Sequence, residues 1–98
     1  MEKVIRSYEL VYIIDAALSE EDTAALVKKF SDLIAEHGTV EKTEEWGKRK
    51  LAYEINKKSE GYYVFTEFKS NPEFPLELDR VLGITDGILR SMIVNPEE

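Results

Sequence analysis

Two hydrophobic periods take turns along this chain. Over residues 6–15, Tyr8, Leu10, Tyr12 and Ile14 alternate with Glu9, Val11 and Ile13, the two-residue period of a strand. Both sets are mostly apolar, which predicts a central strand covered on both sides or nearly so. The period then lengthens. Leu26, Phe30, Leu33, Ile34 and His37 recur at the spacing of one face of an amphipathic helix. Ser19 stands before it as an N-cap, and Glu20, Glu21 and Asp22 fill a first turn where the helix dipole favours anions. Gly38 is expected to end the helix as a left-handed glycine.

A second strand is predicted over residues 40–55, long enough that Gly47 marks a bulge or bend. Residues 56–61 read as a turn and 62–68 as a third strand, so the two strands form an antiparallel hairpin. Asn71, Pro72 and Pro75 break the pattern, and Pro75 suits the first turn of a helix. Phe74, Leu78, Val81 and Leu82 carry that helix as far as Gly83. Asp86-Gly87 turns the chain into a last strand, 88–94, followed by a short acidic tail.

The order β-α-β-β-α-β is the split βαβ of the ferredoxin-like α+β class. Two helices, each with one apolar face, would cover one side of a four-stranded antiparallel sheet. The first and third strands would be central and the second and fourth would be edges.

Composition narrows this frame. Ninety-eight residues suit one domain, 1–98, with one core. The chain holds no cysteine, so disulfides, thiolate metal sites and cysteine nucleophiles are excluded. Residues 1–6 lack the long apolar core of a secretory signal, and no apolar run approaches the roughly 18 residues of a membrane span. A cytoplasmic protein is expected. A net charge of −7 argues against indiscriminate binding to nucleic acid or anionic membranes, yet leaves room for a local basic patch.

That patch is Lys48-Arg49-Lys50, between Trp46-Gly47 and the alternating run Leu51, Tyr53, Ile55. Scarce positive charge concentrated on an edge strand is what a polyanion ligand would use, because phosphate contacts supply most nucleic-acid affinity. Lysines also protect a strand edge from pairing with other sheets, so both readings stand. Further cations lie at Arg6, Lys57, Lys58, Lys69, Arg80 and Arg90. Arg90 is expected on the same strand face as Ile88 and Met92, either covering apolar surface or making a contact.

Catalytic chemistry is not legible. His37 is the only histidine and sits where a cation complements a helix C-terminus. No paired carboxylates, phosphate-cradling glycine loop or serine elbow stands out. No cofactor, metal or small-molecule substrate is expected. Glu60-Gly61-Tyr62-Tyr63-Val64-Phe65 is a poor match to the aromatic signature of RNA-recognition motifs. These rings are expected in the core more than in base stacking.

Taken together, Tyr8-Glu9-Leu10, the Trp46 to Ile55 run, Glu60-Gly61-Tyr62-Tyr63-Val64, Glu77-Leu78-Asp79-Arg80 and Ile84-Thr85-Asp86 with Ile88-Leu89-Arg90 resemble the bacterial family of the sixth small-subunit ribosomal protein, across essentially the whole chain. The resemblance implies a ferredoxin-like structural constituent of the small ribosomal subunit. It would bind the central domain of the small-subunit ribosomal RNA as a heterodimer with the eighteenth small-subunit protein, supporting platform assembly and translation. That partner is basic, which suits an acidic chain. Ala16 stands where many members of the family carry proline, Glu54 where some do, and some members carry a longer C-terminal tail. For contact with RNA or the partner protein, Lys48, Arg49 and Lys50 come first, then Arg6, Arg80 and Arg90, with Trp46 packing on a partner, on the ribose-phosphate chain or beside Gly47. The competing readings are a free-standing RNA-recognition module, a ligand-sensing domain of the same fold, and an enzyme.

Overall fold

The computed structural model describes residues 5–55 and 58–96. Six elements follow in the predicted order: β1 (Arg6–Asp15), α1 (Glu20–His37), β2 (Gly38–Ile55), β3 (Lys58–Ser70), α2 (Phe74–Ile84) and β4 (Ile88–Val94). The strands form one sheet in the order β2-β3-β1-β4, with every neighbouring pair antiparallel. β1 and β3 are therefore central, and the basic triplet lies on an edge strand. Asn56 and Lys57, the heart of the predicted hairpin turn, fall outside the described residues, as do the last two acidic residues.

The core lies between the helices and one face of the sheet. Leu10, Tyr12 and Ile14 of β1 and Val64 and Phe68 of β3 are almost wholly buried. They meet Phe30 and Ile34 of α1 and Phe74, Leu78 and Leu82 of α2. The alternation in β1 puts every second residue on this face, and the helical spacing presents one stripe to it. Tyr12 packs edge-on against Phe30 with centroids 5.5 Å apart, and Tyr8 stacks on Phe68 at 5.6 Å. Burial pushes the Tyr12 hydroxyl pKa up, so this ring stays neutral at any ordinary pH.

The helix ends are set locally. The Ser19 hydroxyl accepts from the Asp22 amide at 3.1 Å, the expected N-cap. Gly38 is not the left-handed cap expected of it. Its φ of −172° is extended, and it opens β2 directly after His37. A glycine is needed for a different reason: a Cβ there would lie 2.0 Å from the Lys69 carbonyl oxygen across the ladder. At α2, Asn71 Oδ1 accepts from the amides of Glu73 and Phe74 at 3.0 and 2.8 Å, supplying the cap from outside the helix. α2 runs through Gly83 to Ile84, where Thr85 turns extended and its hydroxyl donates to the Val81 carbonyl. Gly87, at φ +93°, makes the predicted turn into β4.

A candidate binding face on the outer side of the sheet

The helices leave the other side of the sheet uncovered. Val11 and Ile13 of β1 stand beside Phe65 and Tyr63 of β3 and, on the far side, Met92 and Arg90 of β4. Two sequence expectations are corrected here. Tyr63 and Phe65 are half-buried rings on this outer face, outside the helix-covered core, whereas Tyr62 faces the helix side and donates to Glu45. Ile88 does not share a face with Arg90 and Met92. The register between β1 and β4 slips beside Ile13 and Ile14, so Ile88 pairs with Ile14 and joins the core while Arg90 pairs with Ile13 and points outward. One inserted residue reverses the side-chain alternation beyond it.

β2 completes the face through its own irregularities. Gly47 adopts φ +84° at a register shift after Glu45, the predicted bulge. The bulge lays Trp46 flat on Phe65, with ring centroids 5.5 Å apart and planes 7° from parallel. The Trp46 indole N–H donates to Glu44 at 2.8 Å. Glu44 is also paired with Lys42 at 2.7 Å, and the Lys42 ammonium, followed by the indole, holds its carboxyl below the usual carboxylate range. The Arg49 guanidinium lies over the Trp46 ring, 5.7 Å from its centroid, so Trp46 is engaged by both a ring and a guanidinium at an exposed edge.

The basic triplet is thereby divided. Arg49 pairs with Gly61 and turns to the outer face, while Lys48, opposite Tyr62, turns to the helix side. Lys48 lines a shallow cavity with Leu18, Glu20 and Tyr62, and Lys50 alternates back to the same side as Lys48. All three are exposed. Lys58, 3.6 Å from Asp15, shares a second hollow with Lys48.

The remaining expected site residues lie elsewhere. Arg90 reaches Tyr53: its guanidinium sits 5.3 Å from the ring centroid and donates to the phenol oxygen. Arg6 is exposed at the start of β1, lining a groove of about 650 Å³ with Tyr8, Leu76, Asp79 and Ile93. Arg80 is engaged by Glu77 on α2, two contacts at 3.0 and 2.5 Å, and this guanidinium pulls the Glu77 carboxyl pKa down. Trp46, Arg49, Tyr53 and Arg90 thus share the outer face, Lys48 and Lys50 its helix-side rim, and Arg6 and Arg80 stand apart from both. Tyr53 and Phe65 are members of the face that the sequence did not single out for partner contact. A signal existed in the unequal arms predicted for the hairpin, residues 40–55 against 62–68; the structure has 18 residues in β2 against 13 in β3, with bulges that redirect side chains.

Among the described residues, no cluster of His, Asp and Glu could hold a metal ion, and no helix is long and apolar enough to cross a membrane. His37 stacks on Phe74 at 4.7 Å, a packing contact at the end of α1.

The sequence model described as Ribosomal protein S6 matches residues 7–95. The chain belongs to the ribosomal protein S6 family. A relative in Clostridium novyi, named small ribosomal subunit protein bS6, is 54% identical over 95 residues, spanning 96% of this chain and all of the relative. A protein of the same name in Caldanaerobacter subterraneus is 48% identical over the same share of this chain. The crystal structure of the 30S ribosomal protein S6 from Thermotoga maritima superimposes with a TM-score of 0.91 at 32% identity, covering 96% of this chain and 90% of that one. An uncharacterised protein of the same organism has a TM-score of 0.62 at 16% identity and shares the fold alone. Members of the S6 family are structural proteins of the small ribosomal subunit, not enzymes.

Proposed function

We propose that this chain is a structural constituent of the small subunit of the bacterial cytoplasmic ribosome, joining the central domain of the small-subunit ribosomal RNA as a heterodimer with the eighteenth small-subunit protein. Family membership supports the ribosomal role. The observation that carries the finer reading is the divided edge strand. Lys48 and Lys50 offer point charges on one side of β2, suited to phosphate oxygens, which position a protein on RNA without reading its sequence. Trp46 and Arg49 on the other side, with Arg90 across the sheet, present aromatic rings and guanidinium groups, the residue types that dominate protein interfaces. An acidic protein with so small a cationic rim gains RNA affinity by pairing with a basic partner. Arg6 and Arg80 are secondary contacts in this reading, Arg80 being available once Glu77 releases it.

The test is sedimentation of the untagged chain from a cell extract at low and high salt. Co-migration with small subunits, weakened as salt rises, is the expected outcome, because each phosphate contact releases counterions on binding. A chain that stays in the soluble fraction at every salt concentration sinks the proposal and moves the ligand-sensing alternative forward.

A further inference from the structure

The outer face carries a feature that neither RNA nor partner binding requires. Beyond Lys50, β2 leaves regular pairing: Lys50 faces Glu60 and Ile55 faces Lys58, so residues 51–54 stand opposite Ser59 alone. This surplus of chain folds over the sheet. Leu51 is buried, and so is Ile13, although Ile13 lies on the face away from the helices. Both lie over Gly61, where a Cβ would stand 2.2 Å from Ile13 Cγ2 and 3.4 Å from Leu51 Cδ2. Further along the same surplus, Tyr53 meets Arg90, a residue of the opposite edge strand. β2 and β4 are separated in the sheet by both central strands, so this contact bridges the whole face.

We infer that residues 51–54 are a latched strap, seated by Leu51 on Ile13 and fastened at its far end by Arg90 on Tyr53, that shields the apolar centre of the outer face from water. Its backbone has few ladder partners, so its closure depends on these two side-chain contacts. Tyr53 is 58% exposed and Met92 beside the latch equally so, which leaves the fastening accessible to solvent and to an approaching surface. Lifting the strap uncovers Ile13 beside the half-buried Val11 and Tyr63, enlarging the apolar surface of the outer face. Gly61 is the seat: without a side chain, it leaves the space that Ile13 Cγ2 fills beneath the strap.

Two measurements on the full chain test this without any partner. Methyl NMR of the wild type is expected to show cross-relaxation between Leu51 and Ile13. In Arg90→Ala that signal weakens and binding of the apolar-surface dye anilinonaphthalene sulfonate rises, while the β1–β3 amide ladder stays protected. Should Arg90→Ala lose the ladder as well, Tyr53→Leu cuts the latch from the other end and is read in the same way. An absent Leu51–Ile13 signal in the wild type, or a signal and dye binding unchanged by cutting the latch, overturns the inference.

Discussion

The two faces of the sheet use their apolar residues in opposite ways. On the helix side, Leu10, Ile14, Phe30, Val64, Leu78 and Leu82 are 0–1% exposed and pack into one continuous core. On the outer side, Trp46 and Met92 are 40% and 58% exposed, and the rings there are capped by guanidinium groups. Apolar surface removed from water stabilises the fold by about 25 cal/mol per Å². Aromatic surface left half-exposed forgoes part of that gain, which in the proposed function is recovered on association. Strand parity thus sends one set of residues to the helix-covered core and the other to the outer face, where Ile13 and Leu51 are buried but Trp46 and Met92 stay exposed.

The largest effect expected from breaking this comparison is on the helix side. Phe30→Ala removes a wholly buried ring and should cost about 3–5 kcal/mol in chemical denaturation. The outer-face change Trp46→Ala should cost well under half of that, because the lost ring is only partly buried. Equal costs would show the outer face to be a second core.

Gly61→Ala comes next. Its Cβ would collide with Ile13, so a destabilisation of about 1–3 kcal/mol is expected, with Ile13 displaced, the Leu51–Ile13 signal weakened and Trp46 left on Phe65. An unperturbed Ile13 methyl signal in the NMR spectrum would argue against the tight seat.

Smaller in stability, but directed at function, are the charge changes on the rim. Lys48→Glu and Lys50→Glu should leave melting within about 0.5 kcal/mol of wild type, since both side chains are exposed. Each should reduce the salt slope of RNA binding by about one if it contacts a phosphate. Arg49→Glu on the opposite face should weaken association with the partner protein more than it changes that slope.

The smallest effect is on pH dependence. Glu44 has a folded pKa below its unfolded value, through Lys42 and then the Trp46 indole. A depressed carboxylate contributes stability that is present above the unfolded pKa and is lost as pH falls through the folded one. Fluorescence of Trp46, the single tryptophan of the chain, should therefore hold steady from neutral pH down past the ordinary glutamate value of about 4.3 and change below it. A transition centred at or above that value would mean that the Glu44 contacts do not form in solution.

Periodicity made the element order and the core legible, because alternation and helical spacing are local properties that tertiary packing here reinforces. What escaped the sequence are the places where two distant segments decide together. Gly38 resembles a helix-stopping glycine, but the Lys69 carbonyl opposite it sets the requirement, and that neighbour is remote in the chain. Ile88, Arg90 and Met92 read as one face until the bulge against β1 reverses the alternation. Tyr53 belongs to a simple alternating run in the sequence and meets Arg90 only because surplus chain crosses the sheet. The basic triplet was legible as a patch; its division between two sides follows from strand parity once Gly47 is known to be the bulge.

The most direct test of the account is a titration of central-domain small-subunit RNA with this chain and the eighteenth small-subunit protein, at several salt concentrations. Wild type should be compared with the triple variant Lys48→Glu, Arg49→Glu, Lys50→Glu. The wild-type pair should bind tightly and in a salt-sensitive way, and the variant should lose affinity markedly while its thermal melting stays close to wild type. A folded variant that binds RNA and partner as wild type does would contradict this reading, and would return the edge-strand cations to the role of guarding the sheet against pairing.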